Sequence, residues 1–406
     1  HASASTNSAT STDDNYHQFQ YYIKQQNQCY SMQVTGLAEK YKSATYIEFF
    51  FDLVFVYGLT RISSLLYDDP TQWYKPLVLV LMVWWGWSQY AWATNALALD
   101  DKADKLLMLV GTGVTFFAAL TIPQTFTSQI TWFGALYTIS RVIASLMHII
   151  ASKHDSVQKK TLTKIYLFLI PSTIFILIGS FASPSYRIYI WSFALLLDLV
   201  ASITTKKYAW EVDPVHIGER YGLVIIIALG EALVTIGIQV ETILGKTQVI
   251  VDTLLCFIIL ASIWWVYFET IQPSLEKKVA QIKNHAERST AVRNLYVYQH
   301  LPYIVSVVIL AMTFRNIILF PNSELTNLNF YLIFTAIVVL MMNTTSLFFS
   351  ATGKVPYFYF SAAVLSCTIL NFILNSSGTF LIYYLTIISV LSTIALEFDR
   401  RAHVVN

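Results

Sequence analysis

The chain has 406 residues, 55% of them hydrophobic and only 12% charged, with a formal net charge of +2. A soluble domain carries about 25% charged residues, so this low charge, with the apolar residues gathered in long blocks, excludes an ordinary soluble domain and implies an all-α polytopic membrane protein. Cys29, Cys256 and Cys367 are far apart, which argues against a disulfide framework or a zinc site; no metal and no cofactor are expected, and no nucleic-acid partner.

Residues 1–44 begin HASASTNSATSTDD, a small, polar composition that favours disorder. The Gln- and Tyr-rich segment that follows is compatible with a surface helix. No cleavable signal peptide is visible.

From there the spacing predicts about twelve transmembrane helices, each near the 20 residues that a bilayer requires: 45–67, 76–98, 105–126, 130–152, 162–183, 187–206, 220–241, 248–270, 296–320, 328–350, 356–375 and 378–397. Residues 45–270 thus hold the first eight spans, 271–295 a charged cytoplasmic linker, 296–397 the last four, and 398–406 a tail. Leu53-Val54 followed by Trp84-Trp85 is echoed by Leu223-Val224 followed by Trp264-Trp265. That echo suggests two parallel six-helix halves, a common transporter plan.

Lys and Arg set the orientation. Twelve spans put 20 of the 26 basic residues on the side of the two termini. Lys75, Arg187 and Lys246 fall on the other side, and Arg61, Arg141 and Arg315 within spans. Both termini are therefore expected in the cytoplasm, with the protein in the cytoplasmic membrane.

A charge at the centre of a span costs roughly 2.5–3.5 kcal/mol on insertion scales, so embedded charges should face other helices or water. Glu48 and Asp52 are four residues apart on one face of the first span. Arg61 is nine residues beyond Asp52, half a turn out of phase, and cannot pair with it. Arg141 lies mid-depth in the fourth span and Asp198 in the inner half of the sixth. In the seventh, Arg220, Val224, Ile227 and Glu231 share a face, and Gly218, Gly222 and Gly230 would admit a close helix. His300-Leu-Pro302 opens the ninth span. Three acids (Asp52, Asp198 and Glu231) facing one deep cation, Arg141, would leave a carboxylate free to take a proton or a cation; the alternative is an ion-pair network that only fixes helix packing. His216 reads as a helix-start or switch element. Trp85 and Trp92 share a face with Ser88 and Asn95, either as core packing or as an aromatic wall for a substrate or cationic headgroup.

Two stretches carry a resemblance. Glu48-Phe-Phe-Phe-Asp-Leu-Val-Phe-Val and Glu219-Arg-Tyr-Gly-Leu-Val-Ile-Ile-Ile-Ala-Leu-Gly-Glu231 are similar to the two signatures of the bacterial low temperature requirement A family. Asp100-Asp101, Arg141, Asp198, Trp264-Trp265 with Tyr267-Phe268, and His300-Leu-Pro302 support it over residues 45–320. Where this chain has Arg61 the family usually has Gln, and the usual arginine before Asp100 is missing. The resemblance implies the membrane architecture and candidate residues Glu48, Asp52, Arg141, Asp198, Glu219, Arg220, Glu231 and His300, but no substrate.

The reading that follows is a secondary transporter or a proton- or ion-coupled carrier. Asp52 and Glu231 would be its coupling carboxylates, Arg141 their charge partner and Asp198 a second acid. A membrane-embedded lipid-handling enzyme and a sensor or scaffold linked to cold adaptation remain alternatives. The expected partners are membrane lipids and a small solute or ion, and a homo-oligomer is compatible with the sequence.

Overall fold

The computed structural model describes residues 43–404, apart from 98, 100, 154, 206–209, 211, 242, 244, 320–326 and 362–377. Every regular element among the described residues is helical. In chain order they are α1 (Tyr46–Asp68), α2 (Tyr74–Ala96), α3 (Lys102–Leu120), α4 (Trp132–Ala151), α5 (Ser156–Phe181), α6 (Pro184–Thr204), α7 (Pro214–Val240), α8 (Thr247–Trp265), α9 (Gln272–Gln281), α10 (His285–Val292), α11 (Gln299–Leu319), α12 (Asn327–Thr352) and α13 (Gly378–Val404). Single π-helical turns, Val266–Ile271 and Arg293–Tyr298, join α8 to α9 and α10 to α11.

Among the described residues, ten helical stretches are long and apolar enough to cross a membrane. They expose large apolar side chains outward, among them Leu106, Phe117, Leu167, Tyr189 and Leu254. Outward apolar surface on this scale is stable against lipid and not against water. Helix α2, 23 residues long, is not among the ten. Four tryptophans, Ser88, Gln89 and Asn95 make it less apolar, and more than half of its residues are buried among other helices. Most of the expected 356–375 span lies outside the described residues.

Helix starts follow local chemistry. Thr45 and Glu48 form a capping box at α1, and the Asp155 and Asp213 carboxylates accept backbone N–H groups at the starts of α5 and α7, satisfying donors that a helix start leaves open. Pairing proceeds mostly between chain neighbours: α3 with α4, α5 with α6 and α11 with α12. Helix α7 packs against both α1 and α11.

Two ends of the bundle can be distinguished. At the near end, where α1 begins, Ala44 N–H donates to Glu219 at the start of α7 (2.8 Å), and Asn95 at the end of α2 bonds the Asp213 backbone. At the far end, buried Arg187 donates to the carbonyls of Thr125, Ser128, Gln129, Gly179 and Ala182. The sequence treats Arg187 as a loop charge; in the fold it ties the α3–α4 connection to the end of α5.

The segment expected as a linker, 271–295, is largely helical. Leu275, Val279 and Val292 are buried, and α9 lies against α7 and α12. Gly218 and Gly222 face the Glu276 and Gln272 side chains of α9, which would have to shift to admit a methyl group. Gly230 faces open space, so the close approach expected along three glycines occurs at two. The Trp84 and Trp264 echoes also differ: Trp84 is buried, whereas Trp264 and Trp265 lie on the surface.

Candidate functional site

The embedded charges sort into three separate settings. The first joins α1, α2 and α7. Asp52 Oδ1 accepts from Arg220 Nη2 (2.6 Å) and Trp87 Nε1 (2.8 Å), and its Oδ2 from Arg220 Nε (3.0 Å). Glu48 Oε1 accepts from Arg220 Nη1 (2.8 Å), which also donates to Thr94 Oγ1 (2.9 Å). Glu48 Oε2 accepts the Thr45 N–H and hydroxyl, each at 2.8 Å. All three charged side chains are fully buried.

His216 completes the cluster, with Nε2 at 3.0 Å from Glu48 Oε1, although its N–H lies off that line. Its tautomer follows from its other neighbour. Asp213 N–H donates to Asn95 Oδ1 (2.9 Å), and Asn95 Nδ2 donates to the Asp213 carbonyl (3.0 Å), which fixes the amide orientation. The same Nδ2 lies 3.0 Å from His216 Nδ1, which must therefore accept. A neutral imidazole then carries its proton on Nε2, toward Glu48. Two carboxyl groups, those of Glu48 and Asp52, thus share the one guanidinium of Arg220.

The second setting is a bidentate pair between α4 and α6: Arg141 Nη1 and Nη2 donate to Asp198 at 2.7 and 2.8 Å. The third is a far-end cavity of about 240 Å³ between α1, α7 and α11, lined by Thr60, Ser63, Ser64, Glu231, Thr235 and Arg315 among others. Among the described residues no cation lies within ion-pair distance of Glu231.

The expectation that Arg141 sits beside Asp52 and Glu231 is therefore corrected. Arg141 is taken up by Asp198, and the cation beside Asp52 is Arg220. Helical phase explains why: Arg220 and Glu231 are 11 residues, about three turns, apart on one face, so α7 presents its cation to the near half of α1 and its acid to the far half. Arg61 is half-buried, and among the described residues no carboxylate lies within ion-pair distance. His300 stands apart. Its Nδ1–H donates to the Leu295 carbonyl (2.9 Å), and its Nε2 lies 2.8 Å from the Tyr267 hydroxyl, so both ring nitrogens are bonded and the imidazole bridges the two π-helical turns. Glu219 accepts the Ala44 N–H. Among the described residues no group of acidic, histidine or cysteine side chains could hold a metal.

The tryptophans of α2 divide by face. Trp84 and Trp87 are buried and stacked on each other, 5.2 Å between ring centroids, and Trp84 Nε1 donates to the Val297 carbonyl (2.9 Å). Trp85 and Trp92 instead line a near-half cavity of about 130 Å³, together with Tyr166, Asp198, Trp210 and Arg293.

Sequence reasoning missed Trp87, Thr94 and Asn95 as cluster members. The one local signal was Asn95, a turn away from Trp92 on a helix with few polar residues; its partner is 118 positions away.

The family model described as bacterial low temperature requirement A protein matches residues 43–394. An uncharacterized curated protein of Rhizobium meliloti (strain 1021) is similar to this chain, with 26% identity over 283 residues, 66% of this chain and 68% of that protein. No solved structure matches. With most of its length matched, and with both charged helices of the cluster inside the matched region, the chain belongs to the bacterial low temperature requirement A family of membrane proteins.

Proposed function

We propose that this protein is a secondary transporter, coupled to protons or another cation, with its path along α1, α7 and α11 and an acidic site at mid-membrane. The observation that carries the reading is the Glu48–Asp52–Arg220 cluster, in which two acids share one guanidinium, buried beneath a polar cavity that holds Glu231. On α1, Thr60 at the cavity and Asp52 in the cluster are eight residues, about 12 Å, apart. Val56, Val224 and Ala228, all buried, fill the interval. A polar cavity, an apolar seal and a charged site in line are what one closed state of an alternating-access carrier requires. Intramembrane charge at an internal interface is functional by default.

The roles then differ from those read in sequence. Asp52 and Glu231 remain the coupling carboxylates. Arg220 replaces Arg141 as the charge partner, and Arg141–Asp198 is a pair outside the path. Twelve spans in two parallel halves, with both termini in the cytoplasm, would place the cavity on the outer face. Helices α1 and α7, the first of each half, meet at the cluster, as halves related by an axis along the membrane normal would allow.

Reconstitution in liposomes tests this. An imposed pH gradient, read by an entrapped pH-sensitive dye, should dissipate faster with the protein than without it. Asp52→Asn and Glu231→Gln should each abolish the difference while remaining folded. Full activity in both variants would make the cluster a packing device and sink the proposal. A deletion strain with altered lipids and an unaltered proton leak would favour the lipid-handling alternative.

A further inference from the structure

The near-half cavity bounded by α2, α4, α5, α6 and the π-helical turn before α11 has no part in the path above, yet it is built as a site. Its volume of about 130 Å³ is close to that of the roughly 150 Å³ engineered cavity that admits benzene. Trp85, Trp92, Trp210 and Tyr166 supply flat aromatic walls.

The polar groups at its edge define the ligand's charge. Asp198 lines the cavity, but its carboxylate is matched by the bidentate Arg141. Arg293 has no such match. It is 8% exposed, its Nη1 donates to the Ser202 carbonyl (2.8 Å), and among the described residues no carboxylate lies within ion-pair distance. Its guanidinium sits 5.9 Å from the Trp92 ring centroid. Trp210 is 3% exposed, and among the described residues its indole N–H has no acceptor. A buried indole N–H ordinarily finds a partner, and a buried guanidinium without a counter-charge is costly. Both groups line the same aromatic-walled cavity, so a single anionic acceptor bound there would answer both. This reverses the sign that the aromatic wall by itself suggests, because an aromatic wall alone favours a cation.

We infer that this cavity binds a small organic carboxylate with a ring-sized apolar body, its carboxylate held by Arg293 and the Trp210 N–H and its body packed on Trp85 and Trp92. The site lies apart from the α1–α7–α11 path and is read by binding, so its failure and the failure of the transport reading are separate results.

Benzoate is the probe. Calorimetric titration of the purified protein in detergent should show saturable binding of benzoate, much weaker binding of benzamide and none of inorganic phosphate. Arg293→Gln should weaken benzoate at least tenfold, and Trp210→Phe, which keeps the aromatic face and removes the donor, several-fold. Leu169→Phe, which enlarges a lining side chain and leaves both donors in the sequence, should abolish binding and serves where Arg293→Gln does not fold. Absence of saturable benzoate binding to the wild type would overturn the inference. So would equal affinity for benzamide, unchanged affinity in both donor variants, or native mass spectra showing a phospholipid that benzoate does not displace.

Discussion

Arg220→Met removes the one guanidinium of the α1–α7 cluster. It breaks hydrogen bonds to both oxygens of Asp52, to Glu48 and to Thr94, at 2.6 to 3.0 Å, and leaves two fully buried carboxyl groups with Trp87 and Thr45 as donors and His216 beside Glu48. At about 4 Å and an effective dielectric of 20, a pair of unit charges is worth about 4 kcal/mol, and stripping one partner from a buried pair costs about 3–5 kcal/mol. Arg220→Met should therefore destabilise by at least about 3 kcal/mol. Most of that loss is the penalty of the orphaned acids rather than the net worth of the pair. The double variant Asp52→Asn/Arg220→Met should then recover about 2 kcal/mol or more, which a double-mutant cycle isolates. Unfolding in mixed micelles titrated with a denaturing detergent measures all four proteins. If Arg220→Met lies within about 1 kcal/mol of wild type, or the double variant recovers nothing, the cluster is not the ion-paired unit described above.

At the far end, Arg187→Lys keeps the charge but cannot reach five carbonyls from one ammonium. It should cost about 2 kcal/mol, as a loss of several charge-assisted hydrogen bonds does, and should speed proteolysis of the 121–131 connection. Gly134→Ala would place a methyl group 2.2 Å from Ser180 Oγ and 2.9 Å from the Trp191 ring; overpacking of this kind costs about 1–3 kcal/mol, whereas Gly230→Ala meets nothing within 4 Å and should be neutral in the same unfolding assay. For orientation, single cysteines in a background lacking Cys29, Cys256 and Cys367 should react with an impermeant thiol reagent from outside intact cells at Thr127 and not at Lys354; the reverse pattern would invert the expected topology.

The membrane class was legible from composition, because burial in lipid demands long apolar runs whatever the tertiary arrangement. The helix starts were legible in part: Thr45 with Glu48, and Asp213 ahead of Pro214, act within one turn. The charged positions on α1 and α7 were legible too, because a charge in an apolar span stands out. Their pairing was not. A 3.6-residue period says which residues share a face, but not which helix that face meets. Arg141 could have met Asp52, Asp198 or Glu231 with equal right until α4 was packed against α5 and α2, and α6 against α5.

The sequence alone thus determined that α1 carries Glu48 and Asp52 on one face, that Arg61 is out of phase with them, and that partners had to come from elsewhere. Only the tertiary structure decided that the partner is Arg220, that Asn95 fixes the proton of His216, and that Glu231 opens into a different cavity. The physical reason is range. Helical phase and capping act over a few residues, whereas the bonds from Arg220 to Asp52 and Glu48 join positions 168 and 172 apart, and only the packed bundle brings those together.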